Sequence, residues 1–244
     1  MTETARKETH DIAPDIVVLS GVSFAWPGPQ KFSISIDAFS LSAGSRTLLI
    51  GPSGSGKSTL LSLLSGILIP DRGRIVILGT DMTKLSNAAR DRFRAEHIGV
   101  IFQMFNLLPY GSAVDNVVLP LSFATERRRR AALEGDLAAA AKRVLGDLGI
   151  DGALLNGSAA ALSVGQQQRV ATARALIGAP ELIIADEPTS ALDKYHQERF
   201  LDLLFRQVDD AGATLLMVSH DESLGSRFDK VVELGHVVTF GDRR

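Results

Sequence analysis

The sequence predicts an α/β fold: a mixed core sheet, an antiparallel β subdomain on its N-terminal side, and an α-helical subdomain inserted into it. Three observations predict it. Short β-rich runs separated by Gly and Pro turn signals occupy the first hundred residues. An alanine-rich helical texture replaces them over about residues 105–160, and helix and strand patterns alternate through the final third.

In order, the β-rich runs are residues 16–19, 32–36, 47–50 and 74–78, and an apolar helical run follows the third at 60–68. In the helical region Leu133, Leu137, Ala141, Val144, Leu145 and Leu148 fall at helical spacing and define one apolar face. Next come a helix at 166–177, a strand at 182–185, a helix at 196–208 and a strand at 214–219. Apolar strands joined by helices imply a parallel sheet with right-handed crossovers. The chain closes with residues 230–234, a Gly235-His236 turn and residues 237–240, which read as a hairpin.

With 244 residues the chain can bury a full-sized core without staples, and the absence of cysteine removes disulfides, thiolate metal sites and cysteine nucleophiles together. A net charge of −2, from 26 basic and 28 acidic residues, gives no overall field that would draw it onto nucleic acid or an anionic bilayer. Residues 1–15 are polar and lack an apolar run after their basic residues, so they read as a disordered tail rather than a secretory signal, with 16–244 as a single domain. The weakly charged stretch 98–114 contains Gln103, Asn106, Pro109 and Gly111, which argues against insertion into a bilayer. Arg127, Arg128, Arg129 and Arg130 read as a solvated helix face rather than a nucleic-acid patch.

The chemistry starts at residues 51–59, GPSGSGKST, which match G-x-x-x-x-G-K-S/T between an apolar strand pattern and a helical one. Gly51, Ser53, Gly54, Ser55, Gly56 and Thr59 belong to a loop whose N–H groups can turn onto phosphates, with the positive end of the following helix behind them. Lys57 is placed to reach the outer phosphates and Ser58 to hold Mg²⁺. The chain is thus expected to be a P-loop NTPase. The apolar run 182–185 ends in Asp186, a second Mg²⁺ candidate, and Glu187 follows where it can polarise water; His220 has a similar place after the run 214–219. A second phosphate-suited helix start lies in LSVGQ, residues 162–166, where Ser163 can cap and Gly165 lets backbone approach a ligand. One loop already cradles a nucleotide, so this second site points to a nucleotide held mainly by another molecule.

Taken in order and spacing, these motifs resemble the nucleotide-binding subunit of an ATP-binding cassette (ABC) transporter over residues 16–240. The resemblance makes residues 51–59 the Walker A loop, Gln103 the glutamine of the Q-loop and a further Mg²⁺ contact, and LSVGQ the family signature with Ser163, Gly165 and Gln166 on the nucleotide. It makes Asp186 and Glu187 the end of the Walker B strand with its catalytic glutamate, residues 190–193 the D-loop, and His220 the switch histidine. Trp26 takes the place of the aromatic that stacks on adenine, or else packs on the sheet. The implied ligands are ATP and Mg²⁺, the implied activity is ATP hydrolysis, and the implied assembly is a head-to-tail dimer with each ATP between one copy's Walker A loop and the other's signature. One departure stands out. Val164 replaces the usual first glycine of the signature, and a β-branched residue would be strained if positive φ were required there.

Apolar Met104, Phe105, Leu107, Leu108 and Tyr110 crowd around Gln103, in the region where this family receives a short helix from a membrane permease. The wording of residues 99–120 is similar to the lipoprotein-releasing and macrolide-export type. The resemblance therefore implies a separate permease partner, a peripheral place on the cytoplasmic face of the inner membrane, and export or lipid extraction. The alternatives are force transmission without cargo, or service to a soluble assembly complex.

Overall fold

The computed structural model describes residues 13–27, 32–52, 54–133, 135–190 and 192–242. The strands are β1 (Asp15–Ala25), β2 (Phe32–Ser42), β3 (Arg46–Ile50), β4 (Arg72–Ile77), β5 (Thr80–Asp81), β6 (Ile98–Ile101), β7 (Leu182–Asp186), β8 (Thr214–Ser219), β9 (Lys230–Glu233) and β10 (Thr239–Asp242). The α-helices are α1 (Lys57–Leu64), α2 (Asn87–His97), α3 (Ala113–Val118), α4 (Thr125–Ala131), α5 (Leu137–Asp147), α6 (Val164–Leu176), α7 (Lys194–Asp210) and the single turn α8 (Leu234–Val237). The expected tail lies outside the described residues except for its last three, of which Asp15 opens β1.

Alternating burial sets the pairing of the first sheet, which is antiparallel in the order β10-β2-β1-β4-β5. In β1 the inward side chains are Val17 and Leu19, then Val22 and Phe24, so the parity changes at Ser20 and Gly21. The register with β4 shifts there, Gly21 takes φ 56°, and a Cβ on the facing Gly73 would come within 2.3 Å of the Gly21 oxygen. A bulge of this kind needs glycine on both sides.

The second sheet is parallel in the order β6-β7-β8-β3-β9. Strands β3, β6, β7 and β8 are largely buried on both faces, which is why they read as unbroken apolar runs, whereas the edge strand β9 is mostly exposed. Ile184, Leu216 and Val218 face the core layer between the two sheets, to which α1 adds Leu60, Leu63 and Leu64; Ile183, Leu215 and Met217 face the opposite way, onto Leu201, Leu204 and Val208 of α7. A third core, built from α3, α5 and α6 around Val117, Ala141, Leu145 and Val170, belongs to the helical region. Among the described residues no helix is long and apolar enough to cross a membrane.

Several expectations need correction. Helices α1, α6 and α7 start earlier than hydrophobic periodicity suggested: Ser163 and Asp193 cap α6 and α7 with their side chains, and left-handed Gly56 precedes α1 without a side-chain cap. Leu133 is not on the apolar helical face: Asp136 accepts from Ala139 N at 2.6 Å and starts a new helix, leaving Leu133 exposed in the preceding turn. The C-terminal hairpin does not form. β9 pairs with β3 and β10 with β2, because Leu234 and Val238 are buried in the layer between the sheets and carry the chain from one to the other.

The arginine run is a solvated face only in part: Arg128 and Arg129 are exposed, and Arg127 is not. Arg127 is only 2% exposed. Its guanidinium donates to the carbonyls of Ala95, Ile98, Ala175 and Ile177, closing the C-terminal ends of α2 and α6, while Glu96 accepts from Glu126 N and Arg127 N at the start of α4. Burial, reinforced by the neighbouring Arg130, pulls its pKa down to about 10, so it stays charged at neutral pH. Arg130 reaches the Gly178 carbonyl at 2.9 Å. Arg127→Met keeps the volume but strands those carbonyls; it is expected to cost about 2–4 kcal/mol in urea unfolding with an unchanged m value.

Candidate active site

The parallel pairing brings the chemistry together. Ile50 lies opposite Ser219 and Asp186 opposite Val218, so the segments leaving β3, β7 and β8 emerge at the same carboxyl edge. There a cleft of about 370 Å³ is lined by Gly54, Gly56, Lys57, Ser58, Thr59, Gln103, Asp186 and Glu187, all expected from sequence, and by Phe32, which was not. Phe32 stacks obliquely on Phe240 of β10, at 5.8 Å between ring centroids, and both rings lie against Gly56. That contact depends on β10 joining β2 across the sequence, so no local signal announced it. Gly56 itself takes φ 76°, and an added Cβ would meet the Phe240 ring at 3.3 Å.

Lys57 is the centre of the site. Its ammonium donates to the carbonyls of Gly51 at 2.7 Å and Pro52 at 3.0 Å, and it pairs with Glu187 Oε1 at 3.2 Å. The other carboxylate oxygen, Glu187 Oε2, lies 2.9 Å from His220 Nδ1. Glu187 holds this position at φ 43°, a left-handed conformation that costs a non-glycine residue about 1–3 kcal/mol. Its N–H donates to Val218 O and its carbonyl accepts from Ser190 N, which secure the turn. Ser55 Oγ donates to Pro52 O at 2.6 Å and braces the loop. Ser53 lies outside the described residues, as does Ala191 of the 190–193 segment, in which Asp193 caps α7.

Burial pushes the Asp186 carboxyl above the usual aspartate range; Glu187 pushes the same way and Lys57 opposes it. A cation would relieve this strain. The Ser58 hydroxyl, the Gln103 amide and the Asp186 carboxylate are hard oxygen donors on one cleft, a set that fits Mg²⁺. Among the described residues no group of three or more His, Cys, Asp or Glu side chains forms a metal cluster.

Trp26 is 43% exposed, meets Phe24 edge to face at 5.4 Å, and donates from Nε1 to Thr59 Oγ1 at 3.2 Å. It therefore both packs on the sheet and touches the phosphate-loop helix. Ser163, Gly165 and Gln166 are not in the cleft. They form the N-terminus of α6, where Ser163 and Gln166 make a reciprocal capping box. Val164 is the first residue of that helix, with no positive φ, and is 52% exposed; the strain feared for a β-branched residue is absent.

Two links from α6 to the cleft were not read from sequence. Gln168 Nε2 donates to Pro188 O at 2.7 Å, next to Glu187. Arg174 donates to Phe105 O at 2.5 Å and Asn106 O at 2.7 Å, just after Gln103. A polar residue on an apolar helix face was their only sequence trace.

This arrangement defines a nucleotide-hydrolysing P-loop protein. A family model described as ABC transporter matches residues 35–190, and the chain belongs to that family and is an ATP hydrolase of its kind. It is 42% identical over 238 residues, 96% of its own length and 97% of the relative's, to the lipoprotein-releasing system ATP-binding protein LolD of Anaeromyxobacter dehalogenans. It is 40% identical over 196 residues to the macrolide export ATP-binding/permease protein MacB of Rhodopirellula baltica, covering 80% of this chain and 28% of that one. Among solved structures, the dimeric post-hydrolysis state of the ATP-binding cassette MJ0796, bound to ADP and Pi, superposes with a TM-score of 0.74 at 32% identity, covering 93% of this chain and 99% of that one.

The raised Asp186 pKa fixes the sign of one experiment. A carboxyl raised in the folded state makes its charged form costly above that pKa, and the cost vanishes below the unfolded value of about 3.9. Asp186→Asn should therefore melt higher than wild type at pH 7 without nucleotide, and the difference should shrink as the pH falls through the raised pKa. Thermal denaturation of both proteins across that range checks it.

Proposed function

We propose that this chain is the ATP-hydrolysing subunit of an ABC transporter that works as a pair and drives a separate membrane permease, in export or in lipoprotein or lipid extraction. The observation that carries this reading is the split between two anion-suited helix termini: α1 opens onto the cleft with Lys57, Glu187 and His220, whereas the signature end of α6 is not part of that cleft. A complete pocket then needs the signature of a second copy, with Ser163, Gly165 and Gln166 of each copy serving the other's nucleotide.

In that sandwich Gly51, Ser53, Gly54, Ser55, Gly56 and Thr59 present the loop and the start of α1 to the phosphates of ATP. Lys57 exchanges its Glu187 partner for phosphate oxygens, and Trp26 and Phe32 flank the base and sugar side. Glu187, released from Lys57, orients water and takes its proton as the oxygen attacks the γ-phosphorus, the bond to the β–γ bridging oxygen breaks, and ADP leaves with phosphate as the other product; His220 holds the second Glu187 oxygen and steadies the carboxylate. Ser58, Asp186 and Gln103 hold Mg²⁺, which when bound offsets the charge of the β- and γ-phosphates. Closing and opening of the pair is the mechanical output.

The permease surface is a groove of about 540 Å³ beside β6, walled by Ile67, Phe102, Phe123 and Arg94. Ile67 and Phe123 are 55% and 70% exposed, and Met104 nearby is 80% exposed. An apolar patch rimmed by charge fits a short amphipathic helix. The protein accordingly works at the cytoplasmic face of the inner membrane, and its similarity to LolD supports the lipid-handling branch.

Glu187→Gln keeps the size of the side chain and removes the base. It should bind MgATP, hydrolyse it about 10²-fold or more slowly, and sediment as a dimer when MgATP is present. A variant that sediments only as monomer with MgATP, with or without its copurifying permease, would contradict the sandwich.

A further inference from the structure

Gln103 sits in a turn leaving β6, and the backbone bonds within that turn do not tie it to any other element. Beyond Met104 the backbone is left-handed at two successive residues, Phe105 at φ 58° and Asn106 at φ 49°, a conformation foreign to a bulky residue such as phenylalanine. Phe105 is nevertheless buried, at 8% exposure. Local bonds alone are slender: Phe105 N donates to Phe102 O and Asn106 N to Met104 O. What clamps the pair is a single guanidinium. Arg174, itself 9% exposed, sends Nη2 to Phe105 O and Nη1 to Asn106 O, and among the described residues it has no ion-pair partner. Its two Nη groups each take one of those carbonyls, as the fork of a guanidinium allows.

Arg174 stands in the last turn of α6, the helix whose first turn carries Ser163, Gly165 and Gln166. The same helix end is pinned by Arg127 through the carbonyls of Ala175 and Ile177, and Arg174 forms part of the floor of the groove beside β6. One rigid helix therefore joins the signature, the groove and the turn that carries Gln103.

We propose that Arg174 is a positioning residue: by clamping the left-handed Phe105–Asn106 turn to α6, it sets the place of Gln103 in the cleft and makes Gln103 follow any movement of the signature helix. This rests on the reading of Gln103 as a contact of the Mg²⁺–nucleotide complex. A lysine at 174 keeps the charge but can satisfy the two carbonyls only from one point. A methionine keeps the packing and satisfies neither.

The test uses the full chain as wild type, Arg174→Met, Arg174→Lys, Gln103→Ala and the Arg174→Met/Gln103→Ala double variant. Hydrogen exchange without nucleotide should be at least about tenfold faster over residues 102–107 in Arg174→Met, while β6 and β7 change less than about twofold. In hydrolysis assays at fixed ATP, Arg174→Met should raise the half-saturating Mg²⁺ concentration at least about fivefold, Arg174→Lys should fall between it and wild type, and the double variant should be no worse than Gln103→Ala. Wild-type exchange over 102–107, a wild-type Mg²⁺ profile in Arg174→Met, or single effects that multiply in the double variant would overturn the proposal. Gln103→Ala with an unchanged Mg²⁺ profile would instead sink the reading of Gln103 and the proposal with it. If Arg174→Met does not fold, Arg174→Lys alone decides, by the same exchange and the same Mg²⁺ shift relative to wild type.

Discussion

A nearly buried ammonium organises this molecule. Lys57 is 7% exposed, and a cation so placed must be answered by oxygen from every side. The carbonyls of Gly51 and Pro52, in the loop after β3, and the carboxylate of Glu187, in the turn after β7, supply that oxygen from two parts of the fold. The parallel sheet has to be in register for those segments to meet. The left-handed backbone at Glu187 is tolerated because the ion pair with Lys57, the contact with His220 and the bond to Val218 O all converge on it. In the proposed cycle phosphate oxygens succeed the Glu187 carboxylate around the same ammonium, which would leave that carboxylate to act on water.

The helical region is tied to this centre by arginines rather than by apolar packing alone. Arg127 closes the ends of α2 and α6, and Arg174 grips the turn behind Gln103. Both donate to backbone carbonyls, so the side chains opposite them are free to vary while the geometry persists. Gln168 adds a third tie, to Pro188 beside Glu187. One helix thus holds the turn after Gln103 and the turn after Glu187, while its signature end lies outside the cleft.

Much of this was legible in the chain. The phosphate loop, the Asp186-Glu187 pair and His220 were readable because each follows an apolar strand whose signal is local, and LSVGQ because a cap and a glycine mark a helix start. Of the third core only the α5 part was visible as helical spacing, in Leu137, Ala141, Val144, Leu145 and Leu148; the contributions of α3 and α6 were not. What stayed hidden depended on distant pairing. The separation of β9 from β10 is decided by Leu234 and Val238 burying between the sheets, and Phe32 reaches the cleft only because β10 joins β2. Arg127 looked like one more charge in a basic run; only the convergence of four carbonyls from two helix ends shows why that one is buried. The worry over Val164 dissolved because the residue begins a helix with ordinary φ.

The central claim is that the Lys57 ammonium, at the start of α1, is the principal grip on the triphosphate. Its most direct measurement is equilibrium binding of ATP to Lys57→Met beside wild type, with circular dichroism and unfolding showing both folded. Loss of a buried charge-assisted contact should weaken ATP at least about tenfold, with ADP less affected. Equal affinity for ATP in a folded Lys57→Met would contradict the account.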